Sequence, residues 1–108
     1  MKKILFVCTQ NRVRSLTAEH LFNGRNGCQT ASAGTSGVAR VKLTENLIRW
    51  ADLVVYMDSN HQDFGEEVFP EALAEKRTVC LRIPDLYYYG ETELKNILED
   101  RMKPYFQR

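Results

Sequence analysis

Five residues separate Cys8 from Arg14 in the run Cys8-Thr9-Gln10-Asn11-Arg12-Val13-Arg14-Ser15. If that run joins a strand to a helix, it brings together a nucleophilic sulfur, a ring of backbone N–H groups and a guanidinium able to grip two anionic oxygens. The flanks fit: Ile4 to Val7 is an apolar strand-like segment, and the residues from Ser15 onward are helix-like. The plain alternative is a core strand that happens to end in a buried cysteine. Average residue usage makes a Cys-x5-Arg-[Ser/Thr] match a chance event in roughly one chain of this length in a hundred. Requiring the flanking strand and helix lowers that further.

Such a loop suits a tetrahedral oxyanion, with Thr9, Gln10, Asn11, Arg12, Val13, Arg14 and Ser15 as the candidate phosphate-binding residues. The N–H groups, the dipole of a helix starting near Ser15 and the charge of Arg14 also favour the thiolate form of Cys8. A thiolate there can attack the phosphorus of a bound monoester in line and form a phosphocysteine. Arg14 would hold two equatorial oxygens and stabilise the transition state. This chemistry needs no metal and no cofactor. The departing oxygen needs a proton, and the candidate donor is Asp85 in Arg82-Ile83-Pro84-Asp85-Leu86-Tyr87-Tyr88-Tyr89-Gly90. Beside a bound dianion and near tyrosines a carboxyl group keeps its proton, and once the leaving group has gone the carboxylate can activate water. Taken alone, an aspartate at this place also begins an ordinary turn. Tyr87, Tyr88 and Tyr89 could wall a slot for an aromatic leaving group, or serve as ordinary core and surface aromatics.

The elements that must position these residues can be read along the chain. Its 108 residues, 44% of them apolar, fit one compact domain spanning positions 1–108. Lys3 to Cys8 reads as a buried strand, and Ser15 to Asn23 as a helix with Ala18, Leu21 and Phe22 on one face and Gly24 as its stop. A short strand is expected around Gln29 to Ser32. Thr44 is a plausible cap for a helix through Trp50, followed by a strand from Leu53 to Met57. Ser59 to Phe64 and Pro70 to Lys76 read as helical or turn-like, and Thr78 to Ile83 as a strand. Thr92 can cap a last helix that ends at Pro104. Strands alternating with helices imply an α/β fold, a three-layer α/β/α arrangement around a four-stranded parallel sheet. Ligands of such sheets bind beyond the carboxyl ends of the strands, where Cys8, Asp58 and Asp85 all fall.

Composition limits the partners. Fifteen basic and fourteen acidic residues leave a formal charge of +1, so nothing global attracts nucleic acid or an anionic membrane, and anion binding must be local. The apolar run after Met1-Lys2-Lys3 ends after five residues, too short for a secretory core or a membrane span. A cytoplasmic, soluble protein is expected, with a monomer favoured. The three cysteines, Cys8, Cys28 and Cys80, lack metal-ligand spacing and are odd in number, which argues against a disulfide framework.

At this point the residues resemble the low-molecular-weight protein tyrosine phosphatases, as a short variant. Val7 to Glu19 is similar to that family's N-terminal signature, Ser32-Ala33-Gly34-Thr35-Ser36 to its next segment, Ala51 to Asn60 to its third and Asp85-Leu86-Tyr87-Tyr88 to its acid loop. The resemblance implies a cysteine-dependent phosphatase acting on phosphotyrosine in proteins or on small aryl phosphates. It implies Cys8 as nucleophile, Arg14 as phosphate clamp and Asp85 as general acid and base, beside which Tyr87 and Tyr88 are the candidate substrate wall. Asn11 would hold the loop's backbone in a network with Ser32, and Ser15 would donate to the sulfur. Read without the resemblance, Asn11 is a turn residue, Ser15 a helix cap and Ser32 a loop hydroxyl. The chain departs from the family's pattern at Gln10, where glycine is usual, at Val13, where a second cysteine is common, and at Leu86, where proline is usual. It is also shorter between Ser36 and Thr44, a region that normally supplies part of the substrate wall. Arg12 adds a charge at mid-loop that suits acidic residues flanking a phosphotyrosine, although a solvated arginine is the simpler reading.

Two rivals stay open. An arsenate reductase on the same fold would use Cys8 but needs further cysteines for thiol exchange, and Cys28 and Cys80 read better as core residues. A phosphate-binding interaction protein without turnover would keep the loop alone. A Cys/His protease built on His20 or His61 finds no partner residues: His20 reads as surface, and His61 as a residue that caps or solvates a helix.

Overall fold

The computed structural model describes residues 2–106. Four parallel strands, β1 (Lys3–Cys8), β2 (Gln29–Gly34), β3 (Leu53–Tyr56) and β4 (Arg77–Cys80), form one sheet in the order β2-β1-β3-β4. Helices α1 (Arg14–Phe22), α2 (Glu45–Trp50), α3 (Ser59–Val68), α4 (Pro70–Leu73) and α5 (Thr92–Phe106) cover it. The expected α/β architecture is therefore observed.

The alternation of side chains along β1 divides the core into two layers. Ile4, Phe6 and Cys8 point to a layer shared with Ala18 and Phe22 of α1 and Leu94, Leu98 and Met102 of α5. Leu5 and Val7 point the other way, to Ile48 of α2 and to Ala72 and Leu73 of α4. With both faces covered, β1 can be apolar throughout, which is why it reads as a continuous hydrophobic run. Its register sets the rim, because Cys8 pairs with Gly34 and Val7 with Tyr56. The chain therefore leaves β1, β2 and β3 at one edge of the sheet.

Local signals placed several boundaries well. Thr44 caps α2 by accepting from the Leu47 N–H at 3.2 Å, and Gly24 takes the left-handed conformation (φ 86°) just past α1. Others differ. β2 runs two residues beyond the expected Ser32, because Gly34 continues the pairing with β1. Instead of reaching Ile83, β4 stops at Cys80, and Arg82 turns to a positive φ of 56°. α3 runs on to Val68, while α4 ends at Leu73 instead of Lys76. Thr92 is the first helical residue of α5 instead of its cap, and α5 passes through Pro104 to Phe106. Proline at 104 removes one helical hydrogen bond. The last turn persists through packing: the Phe106 ring lies 5.0 Å from that of Phe22, and Arg77 stacks over Tyr105 at 5.4 Å. No described helix is long and apolar enough to cross a membrane.

Candidate active site

The loop between β1 and α1 is shaped from outside by the segment that follows β2. The carbonyls of Cys8 and Thr9 accept from the N–H groups of Thr35 and Ser36, each at 2.9 Å. The Gln10 carbonyl accepts from the Arg40 N–H at 3.0 Å, and the Asn11 carbonyl from Arg40 Nε at 3.1 Å. Four successive carbonyls thus face this strap. In a trans peptide the N–H points opposite to the carbonyl, so the N–H groups of residues 9–12 are turned away from the strap, toward the interior of the loop. Gly34 makes the close approach possible, since a Cβ there would lie 2.4 Å from the Thr9 carbonyl oxygen.

Asn11 supplies the bend. It adopts a left-handed φ of 58°, which asparagine tolerates better than most residues. Its fully buried side chain donates to Ser15 Oγ at 2.8 Å, and Ser15 Oγ lies 2.8 Å from Cys8 Sγ. With Asn11 occupying an acceptor site of that hydroxyl, the Ser15 proton is free to point at the sulfur. Ser15 lies inside α1 instead of capping it. The N-cap position falls to Val13, which has no side-chain acceptor. The first N–H groups of α1 are thereby left available to an anion.

Cys8, Thr9, Gln10, Arg12, Val13, Arg14 and Asp85 line a cavity of about 220 Å³. That is below the roughly 300–1,000 Å³ of ordinary ligand pockets, and it suits a small oxyanion. Cys8 and Arg14 are nearly buried, at 3% and 5% exposure. One guanidinium nitrogen of Arg14 donates to the Ile83 carbonyl at 3.0 Å, and its Nε lies 3.8 Å from Asp85 Oδ1. The Asp85 carboxylate itself is open to solvent. Asp58 lies on the same rim but caps α3.

The sequence-predicted residues are not all brought together. Asn11 and Ser15 stand behind the cavity and do not line it. Ser32 does not join Asn11 as expected: its hydroxyl donates to the Glu19 carboxylate, and Asn11 Oδ1 is buried without a partner. Glu19, on the same helix as Ser15, takes the serine hydroxyl instead. Nor do Tyr87 and Tyr88 wall the cavity. Tyr87 packs against the core layer of α1 and α5, and Tyr88 is 82% exposed. The stretch after them is tethered away from the loop, with the Gly90 N–H on Thr17 and Tyr89 on His20. Gln10 is accommodated without left-handed strain, because Asn11, Asn26 and Arg82 are the non-glycine residues with positive φ among those described. Arg12 is exposed yet lines the cavity.

One residue does more than its sequence suggested. His61 caps α3 as expected: its Nδ1 accepts the Asp58 N–H at 3.0 Å in a reciprocal capping box. That bond puts the ring proton on Nε2, which donates to Thr9 Oγ1 at 2.8 Å. The Asp58-x-x-His61 spacing signals the cap, but nothing local signals the reach to Thr9. Burial first, and then the charge of Arg14, lower the His61 pKa from 6.5 to about 4. The unfolded chain therefore takes up a proton near pH 6.5 that the folded chain refuses until about pH 4. Stability is expected to fall as pH drops through that window, by about 2 to 3 kcal/mol for this group. Urea unfolding at pH 7 and pH 4.5 checks it, and an equal pH dependence in His61→Gln would assign the loss to other groups.

A family model described as low molecular weight phosphotyrosine protein phosphatase matches residues 3–42, which hold β1, the loop, α1, β2 and the strap. No curated protein sequence matches the chain. Among solved structures, the chain is similar to the YwlE arginine phosphatase from Geobacillus stearothermophilus (26% identity, 99% of this chain and 94% of that one, TM-score 0.73). The tyrosine phosphatase Wzb from Escherichia coli K30 in complex with phosphate matches at 24% identity over 97% of this chain and 96% of that one, TM-score 0.76. Wzb from Vibrio vulnificus in complex with benzylphosphonate matches at 20% identity over 97% of each chain, TM-score 0.78.

Proposed function

We propose that the chain is a member of the low molecular weight phosphotyrosine protein phosphatase family, a reading supported by the match of residues 3–42 and by the shared fold, and that it hydrolyses phosphotyrosine and other aryl phosphate monoesters through a phosphocysteine, as a single domain acting in the cytoplasm. The observation that carries the reading is the grouping of Cys8, Arg14 and Asp85 around one small cavity. In the first step the Cys8 thiolate attacks phosphorus, the ester P–O bond breaks, and the Asp85 carboxyl group gives its proton to the departing phenolate oxygen. In the second, water attacks the phosphocysteine, Asp85 takes up the water proton and the S–P bond breaks to release phosphate. Ser15 eases that release by donating to the sulfur. Throughout, Arg14 and the inward N–H groups hold the equatorial oxygens.

A phosphoarginine substrate is the second reading, because an arginine phosphatase is among the similar structures. Net charge favours the aryl ester: Arg12 and Arg14 outnumber Asp85 in the cavity lining, and a cationic guanidinium leaving group would enter against that net positive charge. Arsenate reduction is disfavoured by the cysteines. Cys28 precedes Gln29, which pairs with Lys3 at the far end of β1, roughly 17 Å from Cys8 at strand rise. Cys80 pairs beyond Tyr56, two strands across from Val7, or about 10 Å away, too far for a direct disulfide.

Turnover of 4-nitrophenyl phosphate, a phosphotyrosine peptide and a phosphoarginine peptide decides among these. Wild type is expected to hydrolyse the first two, and Cys8→Ser to lose all measurable turnover. Activity that survives in Cys8→Ser would sink the mechanism, phosphoarginine turnover alone would favour the second reading, and no turnover at all would leave a binding protein.

A further inference from the structure

Asp85 is held in place by the turn that precedes it, and the turn is pinned by a residue of α5. After β4 the chain keeps pairing with β3, as the Leu81 N–H donates to the Tyr56 carbonyl at 2.9 Å and the Ile83 N–H to the Met57 carbonyl at 2.8 Å. Between them Arg82 takes a left-handed φ of 56°, a conformation that costs a long side chain on the order of 1 kcal/mol. The carbonyls of Leu81 and Arg82 then converge on one side. A single guanidinium nitrogen of Arg101 reaches both, bonding the Leu81 oxygen and lying 3.2 Å from the Arg82 oxygen. On the other side of the turn, the Ile83 carbonyl meets Arg14. Two residues later comes Asp85, an exposed carboxylate at the cavity mouth.

We propose that Arg101 is a positioning residue for the general acid: by neutralising the paired carbonyls of the left-handed turn, it fixes the angle at which residues 83–85 leave the sheet and so the reach of Asp85 over the cavity. Arg101 is exposed and touches neither the loop nor the substrate space, so any effect it has on turnover passes through the turn, and unchanged phosphate inhibition separates an effect on Asp85 from one on the Arg14–Ile83 bond. The proposal rests on the acid role given to Asp85 above. A charged donor suits this place because two converging carbonyl dipoles present a concentrated negative potential, which a charge-assisted hydrogen bond offsets better than water does. Without it the turn relaxes toward an ordinary φ and Asp85 moves, and a shift of about 1 Å in a proton donor is enough to cost an order of magnitude or more in rate.

The test is the dependence of kcat/KM on leaving-group acidity, because kcat/KM reports phosphoryl transfer to Cys8 and only a poor leaving group needs the proton. Phenyl phosphate and 2,4-dinitrophenyl phosphate are compared in wild type, Arg101→Ala, Arg101→Lys, Asp85→Asn and the Arg101→Ala/Asp85→Asn double variant. Arg101→Ala is expected to lose about tenfold on phenyl phosphate and less than about twofold on the dinitrophenyl ester. Arg101→Lys should recover part of the loss. In the Asp85→Asn background Arg101→Ala should cost nothing further, and inhibition by inorganic phosphate should be unchanged throughout the Arg101 series. Equal losses on both esters, or a loss that persists in the double variant, would overturn the positioning role while leaving the acid role standing. If Asp85→Asn itself discriminates neither ester, the acid role fails and the proposal fails with it.

Discussion

Arg14→Lys is expected to lower kcat/KM for an aryl phosphate by about 10²- to 10³-fold, although the charge is kept. Lysine places a point charge where guanidinium offers a planar fork, so two equatorial phosphate oxygens can no longer be held together. The second loss is structural. Arg14 is almost fully buried and donates to the Ile83 carbonyl at 3.0 Å. A lysine that turns to phosphate leaves that buried oxygen unpaired, at a cost of about 1 to 3 kcal/mol. A lysine that stays on Ile83 abandons phosphate. Steady-state kinetics and thermal melting separate the two outcomes, and the variant should fail in at least one of them. Wild-type kinetics together with a wild-type melting temperature would mean that neither contact matters.

Gly34→Ala is expected to destabilise the protein by about 3 kcal/mol, or roughly 12–20 °C in melting temperature for a domain of this size, and to abolish most of its activity. The new Cβ would lie 2.4 Å from the Thr9 carbonyl oxygen, 2.7 Å from Ala39 Cβ and 3.0 Å from the Asn11 nitrogen. Two of these three neighbours are backbone of the oxyanion loop, and the third sits on the strap that shapes it, so no flexible side chain can yield. Relief requires the strap to move off the loop, which breaks the hydrogen bonds that turn the N–H groups inward. Gly37→Ala is the matched control, because nothing lies within 4 Å of a Cβ there. Its melting curve should stay near wild type, and similar losses in both variants would mean that the contact at Gly34 is not the cause.

The local parts of this design were legible in the sequence. β1, the start of α1, the Thr44 cap and β3 each have a signal within a few residues: an apolar run, a helical stripe, a hydroxyl before a periodic segment. The misreadings share a cause, which is that a distant partner decided the outcome. Pro104 marks a helix end by its own chemistry, yet the packing of Tyr105 and Phe106 against other elements carries α5 past it. Thr78 to Ile83 has the composition of one strand, but the turn at Arg82 is stabilised from α5 and cuts it short. The sequence places Cys8, Arg14 and Asp85 at one rim through the order of the elements, and in the structure they line one cavity. It could not assign Ser32, whose choice between Asn11 and Glu19 depends on distances across the sheet, or the tyrosines, whose direction is set by tethers to α1.

The strap has a consequence for how such a site can diversify. All the backbone ties that shape the oxyanion cradle fall between residues 8 and 40, whereas the acid and its turn lie between 81 and 85. The two halves meet at Arg14, which donates to the Ile83 carbonyl and lies 3.8 Å from the Asp85 carboxylate. On the proposed function the site is thus modular in sequence, with one cassette to recognise the phosphoryl group and another to address what the group is attached to. Substitutions just after the second cassette, as at the exposed Leu86, can change what meets the attached group while the first stays intact.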